Sequence, residues 1–348
     1  MGKFIEKARQ ATMLVCAAAL LAGCAVPQHA KPADPPPFDL QGHRGARWSY
    51  PENSLPGFAY ALGVGVSTLE LDIAITRDRV LFISHDSRLN ADITRDADGK
   101  FLAHQGAAFV SLNAADLAKY DVGRIKPSSN YAKTFSEQQP IDGTRIPRFA
   151  ELAALVKSAG NEEVRFAIET KITPQAPADT VGPEEFARLV IAAIRQAGLA
   201  RRSSILSFDW RTLQVVQKEA PEIPTVYLTM QQSRSIDNIM VDNPAGSPWT
   251  AGFQHKDFGS VPKMIKAAGG HTWSCFWRDL TPEQVKEAQA LGLKVLAWTV
   301  NDAAQMNRMM DMGVNGIVTD RPELLRAEMQ RRGLALPRPT PVALPKDL

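Results

Sequence analysis

The chain has 348 residues, of which 45% are hydrophobic and 22% charged, a composition typical of a globular protein with room for one large domain. Its formal net charge is only +3, and it has no basic run with interleaved aromatic residues, which argues against a nucleic-acid partner. The stretches Gly63-Val64-Gly65 and Gly269-Gly270 lack the spacing of a dinucleotide-binding fingerprint, so no dinucleotide cofactor is expected.

The first residues are typical of an export signal. A basic start is followed by an apolar run from Ala11 to Ala22 that is too short to span a bilayer as a helix. The run ends in Leu21-Ala22-Gly23-Cys24, which resembles a bacterial lipobox. This resemblance implies that residues 1–23 are removed and that lipid is attached to Cys24. A plain signal peptide with an incidental cysteine is the alternative.

The residues after the lipobox predict a membrane tether. Residues 24–38 are rich in proline, which favours an extended linker. Ala25 rather than aspartate follows Cys24, and the resemblance to sorted lipoproteins therefore implies an outer-membrane location facing the periplasm. Only Cys24 and Cys275 would remain after cleavage, so no intramolecular disulfide is expected once Cys24 carries lipid. Cys275 lies in an apolar stretch and is predicted to be a buried packing residue.

Short apolar strands then alternate with amphipathic helices. The predicted strands are Asp39–His43, Thr68–Ile75, Val164–Thr170, Ser203–Phe208, Pro224–Thr229, His271–Phe276, Leu293–Thr299 and Asn315–Thr319. The predicted helices are Ser54–Leu62, Phe149–Ala159, Pro183–Gln196, Arg211–Glu219, Val261–Ala268, Pro282–Leu291, Asp302–Met312 and Pro322–Arg331. This α/β alternation predicts a closed parallel (β/α)₈ TIM barrel, with a doubly wound open sheet as the alternative.

Three segments do not follow the alternation. Residues 88–147 are polar and weakly periodic, and residues 231–260 are rich in Asn, Asp, Ser and Gly. Both are too long for ordinary loops and are expected to lie over the active face. Residues 333–348 are rich in proline and are predicted to be a disordered tail, which leaves residues 39–332 as the barrel domain.

The second predicted strand carries two acidic residues. Thr68 to Ile75 alternates as a strand does, so Glu70 and Asp72 share one face. Two carboxylates on an otherwise apolar strand are unfavourable unless a positive charge lies between them. The short link that follows predicts a hairpin, which returns His85 beside both carboxylates. The alternative is an ordinary hairpin whose polar side faces water.

Further polar residues follow the carboxyl ends of predicted strands, where a barrel places its active site. In chain order the motifs are His43-Arg44-Gly45, Pro51-Glu52-Asn53-Ser54, Glu70-Leu71-Asp72, His85-Asp86, Glu169-Thr170-Lys171, Trp298-Thr299-Val300-Asn301 and Gly316-Ile317-Val318-Thr319-Asp320. This ordered set resembles the glycerophosphodiester phosphodiesterases from about Gln41 to Asp320. The resemblance implies a phosphoric diester hydrolase, with one divalent cation as its cofactor.

The resemblance also implies the ligands of that cation. Glu70, Asp72 and Glu169 match the metal ligands of the family. Their hard carboxylate oxygens suit Ca²⁺ or Mg²⁺ and are poor ligands for Zn²⁺. For Glu169 the alternative is a surface carboxylate that is paired with Lys171.

His43 and His85 match the general acid and base of the family, in an order that the sequence leaves open. An unperturbed histidine titrates near neutral pH, as proton transfer at a phosphodiester requires. Either histidine alone is equally well explained as a hydrogen-bonded structural residue. Their joint position at strand ends beside carboxylates favours catalysis.

Four more residues are implied to bind the substrate. Arg44 and Lys171 match positions that hold phosphate oxygens, Arg44 through its planar fork and Lys171 as a point charge. Glu52 either binds glycerol hydroxyls or only caps the loop that enters the first helix. Trp298 either packs on the glycerol or is a structural residue at the barrel mouth.

The function that the resemblance implies is hydrolysis of small glycerophosphodiesters to glycerol 3-phosphate and an alcohol, by a lipid-anchored exported enzyme. Attack by the glycerol 2-hydroxyl would give a cyclic phosphate, which water then opens. One alternative is a related lipid phosphodiesterase of the phospholipase C or D kind. Another is a non-catalytic lipoprotein that binds a ligand on the same barrel, although the full set of histidines and carboxylates argues against it.

Overall fold

A computed structural model of the chain describes residues 37–231 and 236–344. The export signal, Cys24 and all but the last two residues of the expected tether lie outside the described residues, so the lipid anchor stays a prediction. Within the described part of the chain, no helix is both long enough and apolar enough to cross a membrane.

The described strands form one sheet that closes on itself. They are β1 Asp39–Gly42, β2 Thr68–Ile75, β3 Leu81–Ile83, β4 Arg165–Thr170, β5 Ser203–Ser207, β6 Thr225–Thr229, β7 Thr272–Phe276, β8 Lys294–Trp298 and β9 Gly316–Thr319. Neighbours follow the order β1-β9-β8-β7-β6-β5-β4-β2, and β1 pairs with β2 to close the ring. All pairs in the ring are parallel. The barrel prediction is confirmed, and the open sheet is excluded.

Helices connect the strands on the outside of the barrel. They are α1 Leu55–Val64, α2 Ala114–Leu117, α3 Asn130–Thr134, α4 Phe149–Ser158, α5 Pro183–Gln196, α6 Trp210–Glu219, α7 His255–Phe258, α8 Val261–Ala267, α9 Pro282–Ala290, α10 Ala303–Asp311 and α11 Pro322–Arg331. The eight predicted helices agree with α1, α4 to α6 and α8 to α11 within about two residues, because local caps fix their ends. Thr281, for example, accepts from the Gln284 amide in a capping box before Pro282.

Successive strand residues divide into an outer and an inner face. We call the apolar residues between strands and helices the outer core; Leu69, Leu71 and Ile73 of β2 belong to it, as do helix residues such as Leu152 and Leu213. Because side chains alternate along a strand, residues between these positions point into the barrel. Cys275 of β7 is buried in the outer core, as predicted.

The strand β3 is the return arm of the predicted hairpin. It pairs antiparallel with the far end of β2, with Ile75 opposite Leu81 and Ile73 opposite Ile83. The Ser84 amide donates to the Asp72 carbonyl at 3.0 Å, which continues the same register. The chain therefore reaches His85 at the level of the β2 carboxylates, as the sequence predicted.

The expected insertion, residues 88–147, has a small core of its own. Leu89, Phe109 and Leu117 pack against Ala74 and Phe82 of the hairpin. Ion pairs join the arms of the insertion, and the Arg95 guanidinium contacts both Asp121 and Asp142. The insertion is thus a folded layer on the hairpin. Its helix α3 contacts the loop after β1, because Tyr131 hydrogen-bonds with Arg47 and Glu52.

The carboxyl-terminal segment differs from its prediction as a disordered tail. The Thr340 amide donates to the Leu62 carbonyl at 2.8 Å, and the Thr340 hydroxyl accepts from the Asn161 side chain at 2.8 Å. Leu336 and Val342 also pack against the outer core. Proline removes amide donors from this segment, but its carbonyls and apolar side chains still find partners, so residues 333–344 are ordered along the barrel.

Candidate active site

Three carboxylates meet inside the barrel at the carboxyl ends of β2 and β4. Parallel pairing puts Asp72 directly beside Glu169, and Glu70 lies two residues before Asp72 on the same face. Glu70, Asp72 and Glu169 are buried and each offers an oxygen within 4.8 Å of the others. We call these three residues the acidic trio.

The electrostatics of the acidic trio favour a bound cation. Burial, together with the charges of Asp72 and Glu169, raises the pKa of Glu70 well above its ordinary value. Burial also raises the pKa of Glu169 to about 7, although the charge of Lys171 opposes this shift. Among the described residues, Asp72 Oδ1 has no hydrogen-bond partner. Repelling, desolvated carboxylates with an unpartnered oxygen fit a hard divalent cation, so the acidic trio could hold one.

The loop between β1 and α1 fixes the orientation of the acidic trio. The Arg44 amide donates to Glu70 Oε2 at 2.8 Å, and Asn53 Nδ2 donates to Asp72 Oδ2 at 2.8 Å. Arg44 and Asn53 have φ values of 50° and 51°, in the left-handed region that costs energy for residues other than glycine. Gly45 has φ 86°, and a Cβ there would lie 2.8 Å from the Gly57 carbonyl carbon. This tight loop therefore aims both donors at the carboxylates.

Two cationic side chains border the acidic trio. Arg44 Nη1 donates to Glu52 Oε1 at 2.9 Å, and Arg44 Nε lies 3.5 Å from Asp72 Oδ2. Lys171 Nζ lies 2.8 Å from Glu169 Oε1 and 3.7 Å from Asp72 Oδ1. Burial alone would raise the pKa of Asp72. The charges of Lys171, His85 and Arg44 instead hold this pKa below its ordinary value. The Glu169–Lys171 pair exists, but it is buried in the site and is not the surface pair of the alternative interpretation.

His43 is held by a buried aspartate after the last strand. His43 Nδ1 lies 2.6 Å from Asp320 Oδ1, and the side chain of Asp320 is 0% exposed. Arg47 donates to both Asp320 oxygens, at 2.8 and 2.9 Å, and Asn301 Nδ2 donates at 2.6 Å. Burial would raise the pKa of Asp320, but the charges of Arg47 and His43 hold it below its ordinary value.

An ionised Asp320 fixes the tautomer of His43. A carboxylate only accepts hydrogen bonds, so Nδ1 of His43 must carry the proton. The opposite nitrogen, Nε2, lies 4.0 Å from Glu70 Oε2 and keeps its lone pair. Burial lowers the pKa of His43 to about 4, which keeps the ring neutral at pH 7.

His85 has a partner of the same type in the next residue. Its Nδ1 lies 3.0 Å from Asp86 Oδ1, and Asn90 Nδ2 donates to Asp86 Oδ2 at 2.7 Å. Burial and the charges of Arg44 and Lys171 lower the pKa of His85 to about 3, so it too is neutral at pH 7. The site therefore contains two neutral histidines, each with an aspartate at Nδ1, beside one acidic trio.

Comparison with known proteins identifies the family. Residues 43–324 match the family model of the glycerophosphoryl diester phosphodiesterases. The chain belongs to the glycerophosphoryl diester phosphodiesterase family. The predicted enzyme class is thereby confirmed.

Individual relatives of this phosphodiesterase family cover most of the chain. A glycerophosphodiester phosphodiesterase of Caldanaerobacter subterraneus is 27% identical over 288 residues, covering 81% of this chain and 94% of that protein. A crystal structure assigned to the family, from Silicibacter pomeroyi, has 33% identity and a TM-score of 0.76, covering 86% of this chain and 96% of that chain. A structure of an Oleispira antarctica phosphodiesterase contains the product sn-glycerol-3-phosphate; it is 18% identical, with a TM-score of 0.61, over 84% of this chain and 97% of that chain.

The structure brings most of the predicted site residues of this phosphodiesterase together. The loop after β1, the hairpin and the end of β4 supply His43, Arg44, Glu52, Glu70, Asp72, His85, Glu169 and Lys171. The N-cap of α1 is Ser54, whose Oγ accepts from the Gly57 amide, while Glu52 in the preceding loop accepts from Arg44 Nη1. Trp298 lies among apolar rings on the inner face of β8, with its Nε1 donating to the Ser274 carbonyl.

Sequence reasoning assigned no role to several residues that complete the site. Asp320 ends the motif Gly316-Ile317-Val318-Thr319-Asp320. Its position directly after the last strand could have indicated a role in the site. Asn53 and Arg47 belong to the loop after β1, where spacing alone does not reveal their partners. Tyr131 of α3 donates from its hydroxyl to Glu52, and no local pattern in the insertion marks it.

Proposed function

We propose that this chain hydrolyses glycerophosphodiesters to glycerol 3-phosphate and an alcohol, using His43 and His85 for proton transfer and one Ca²⁺ or Mg²⁺ ion. The observation that carries the proposal is the pair of histidines beside the acidic trio, each held at Nδ1 by an aspartate. Each histidine is oriented through Nδ1, which leaves Nε2 free to exchange protons with a substrate. The product found in the Oleispira antarctica relative supports the same chemistry here.

Glu70, Asp72 and Glu169 would hold the cation. When bound, it supplies positive charge that polarises the phosphate and stabilises the negative charge of the transition state. Arg44 and Lys171 have donors beside the same carboxylates and would bind the remaining phosphate oxygens. Glu52, which accepts from Arg44 and Tyr131, would also accept from a glycerol hydroxyl.

In the first step, one histidine takes the proton from the glycerol 2-hydroxyl as its oxygen bonds to phosphorus. The bond from phosphorus to the leaving alcohol breaks, and the second histidine donates a proton to that alcohol. To act as this acid, the second histidine must first take a proton from water on Nε2 and enter the step as an imidazolium. In the second step, the second histidine takes a proton from water as the water oxygen bonds to phosphorus. The bond from phosphorus to the glycerol 2-oxygen breaks, and the first histidine returns its proton to that oxygen. General acid–base catalysis of this kind is worth about two to four powers of ten in rate.

The test uses the full chain with Cys24→Ser, so that no lipid is attached. We expect choline and glycerol 3-phosphate from glycerophosphocholine, no activity after EDTA treatment, and recovery with Ca²⁺ or Mg²⁺. Full activity after exhaustive chelation would contradict the cation assignment. Release of head group from phospholipid vesicles but not from glycerophosphocholine would favour the phospholipase alternative, and ligand binding without turnover would favour the non-catalytic one.

A second variant separates cation binding from folding. Glu70→Ala removes one of three repelling carboxylates, so we expect weaker cation affinity by calorimetry and a melting temperature near that of the cation-free parent. Equal cation affinity in the variant and the parent would exclude Glu70 as a ligand.

We also propose that the exported chain is anchored by lipid on Cys24 to the outer membrane and faces the periplasm. The lipobox in the sequence supports this location. Labelled palmitate should enter the wild type and not Cys24→Ser. Equal labelling of both proteins would contradict the anchor.

A further inference from the structure

The inside of the barrel has an apolar half opposite the acidic trio. Inward residues of β4, β5, β6 and β8, together with residues that follow β5 and β6, form a cluster that is separate from the outer core. Its buried members are Ala167, Leu206, Phe208, Val226, Leu228, Met230, Trp249 and Leu296. Phe276 and Trp298 pack against this cluster and remain half-buried. We call the rings of Phe208, Phe276 and Trp298 the aromatic wall.

The ring of Trp298 contacts both other rings of the aromatic wall. The Trp298 ring centroid lies 5.5 Å from that of Phe208, at an interplanar angle of 85°, and 5.4 Å from that of Phe276. Trp298 thus links the other two rings into one contiguous apolar surface. The one polar atom of Trp298, Nε1, already donates to the Ser274 carbonyl at 3.1 Å. The exposed part of the wall therefore offers apolar contact and no hydrogen bonds.

The aromatic wall is continuous with the acidic trio and with the surface. Lys171 Nζ lies 6.0 Å from the Phe208 ring centroid and 2.8 Å from Glu169 Oε1, so one side chain separates wall and trio. On the other side, the half-buried Met240 packs on the same cluster, and the next residue, Val241, is 39% exposed. Apolar residues thus extend from beside Lys171 to Met240, which is followed by the exposed Val241.

The polar half of the site limits where the two parts of a diester can lie. Glycerol brings hydroxyls that need hydrogen-bond partners when they are buried. Glu52, Arg44 and Tyr131 supply such partners on the β1 side. The glycerol hydroxyls therefore find hydrogen-bond partners on the β1 side. The leaving alcohol then lies on the side of the aromatic wall.

On the basis of the proposed function, we propose that the aromatic wall binds an alkyl chain on the leaving alcohol. The preferred substrates are then glycerophosphodiesters of apolar alcohols. Each methylene that moves from water onto apolar surface increases binding by up to about fourfold. This role differs from the contact with glycerol that the sequence suggested for Trp298.

The test is a series of glycerophosphodiesters of straight-chain alcohols from propanol to nonanol, used below their micellar concentrations with the Cys24→Ser chain. These alcohols have nearly equal acidity, so chain length changes apolar contact and not leaving-group chemistry. We expect kcat/KM to rise by about two- to fourfold per methylene until the wall is covered. A flat series, with turnover of every ester, would overturn the inference and leave the proposed function intact.

Variants locate the effect. Phe276→Asn should lower the ratio of kcat/KM for the nonyl and propyl esters by at least about tenfold, while Phe276→Leu should largely keep it. Phe253→Asn is the matched control, because Phe253 is a half-buried phenylalanine on the outer core. An unchanged ratio in Phe276→Asn, with a melting temperature like that of Phe253→Asn, would remove the wall from substrate binding.

Two further outcomes are informative. If lysophosphatidylcholine, which carries its chain on the glycerol, shows a higher kcat/KM than the nonyl ester, the assignment of the wall to the leaving alcohol is wrong. If no ester and no glycerophosphocholine is hydrolysed with cation present, the proposed function itself fails and the inference fails with it.

Discussion

The two histidine–aspartate pairs of the site have the same local geometry and different construction. His85 and Asp86 are neighbours in the sequence on the hairpin, and the Asp86 side chain is 31% exposed. His43 and Asp320 are separated by 277 positions, and Asp320 is 0% exposed with Arg47 and Asn301 as further partners. A pair that is buried across the barrel holds one tautomer against solvent, whereas the half-buried His85–Asp86 pair has water as an alternative partner. The His43 pair should therefore depend more strongly on its aspartate.

The largest expected effects come from the histidines themselves. His43→Ala and His85→Ala should each lower kcat at least about a hundredfold on glycerophosphocholine, because each removes one proton transfer. Cation affinity and melting temperature should stay near the parent values. His271→Ala is the control, since His271 is exposed and has no role in the site.

Leaving groups assign the two roles. A p-nitrophenyl ester needs no acid, so it should restore much of the activity of the variant that lacks the acid and little of the other. Rescue of His85→Ala would make His85 the acid, and rescue of His43→Ala would reverse the roles. Near-normal kcat in either variant would return that histidine to a structural role.

Substituting the aspartates tests the comparison directly. Asp320→Asn can donate to Nδ1, which favours the His43 tautomer that lacks a lone pair on Nε2, so kcat should fall by about tenfold or more. Asp86→Asn should lower kcat by a smaller factor, because solvent can replace the contact between Asp86 and His85. Effects of equal size, measured as kcat with KM determined separately, would show that burial does not distinguish the pairs.

Acid stability gives a smaller, separate test. Burial would raise the pKa of Asp320, but Arg47 and His43 lower it far below the ordinary 3.8. A carboxyl whose pKa is lowered by folding stabilises the native state above its unfolded pKa and loses that contribution as the pH falls. The free energy of unfolding should therefore decrease as the pH drops from about 5 to below 4. Urea denaturation should show a shallower decrease in Asp320→Asn, and a decrease closer to wild type in Asp86→Asn.

The smallest effect is expected at the contact from the insertion. Tyr131→Phe removes the hydroxyl that donates to Glu52 and accepts from Arg47 at 3.3 Å. If Glu52 binds glycerol, KM should rise by about two- to tenfold with little change in kcat, since one hydrogen bond is worth about 1 kcal/mol. Tyr120→Phe is a matched control in the same insertion. An unchanged KM in Tyr131→Phe would confine the role of Tyr131 to packing of the insertion.

Local sequence determined the frame of this protein. Alternation in Thr68–Ile75 put Glu70 and Asp72 on one face, and the length of the turn set the register that returns His85. Prolines and capping residues fixed helix ends within about two residues, because caps and backbone restrictions act over three or four positions. These features need no knowledge of distant parts of the chain.

Only the tertiary structure decided which distant side chains meet. Closure of β9 onto β1 brings Asp320 to His43, and packing of the insertion brings Tyr131 to Glu52. Barrel closure also gathers Phe208, directly after β5, with Phe276 of β7 and Trp298 of β8 into one wall, although each strand alone is typical of an ordinary core. Such pairings depend on barrel closure and on the packing of whole layers, which no short window of residues encodes.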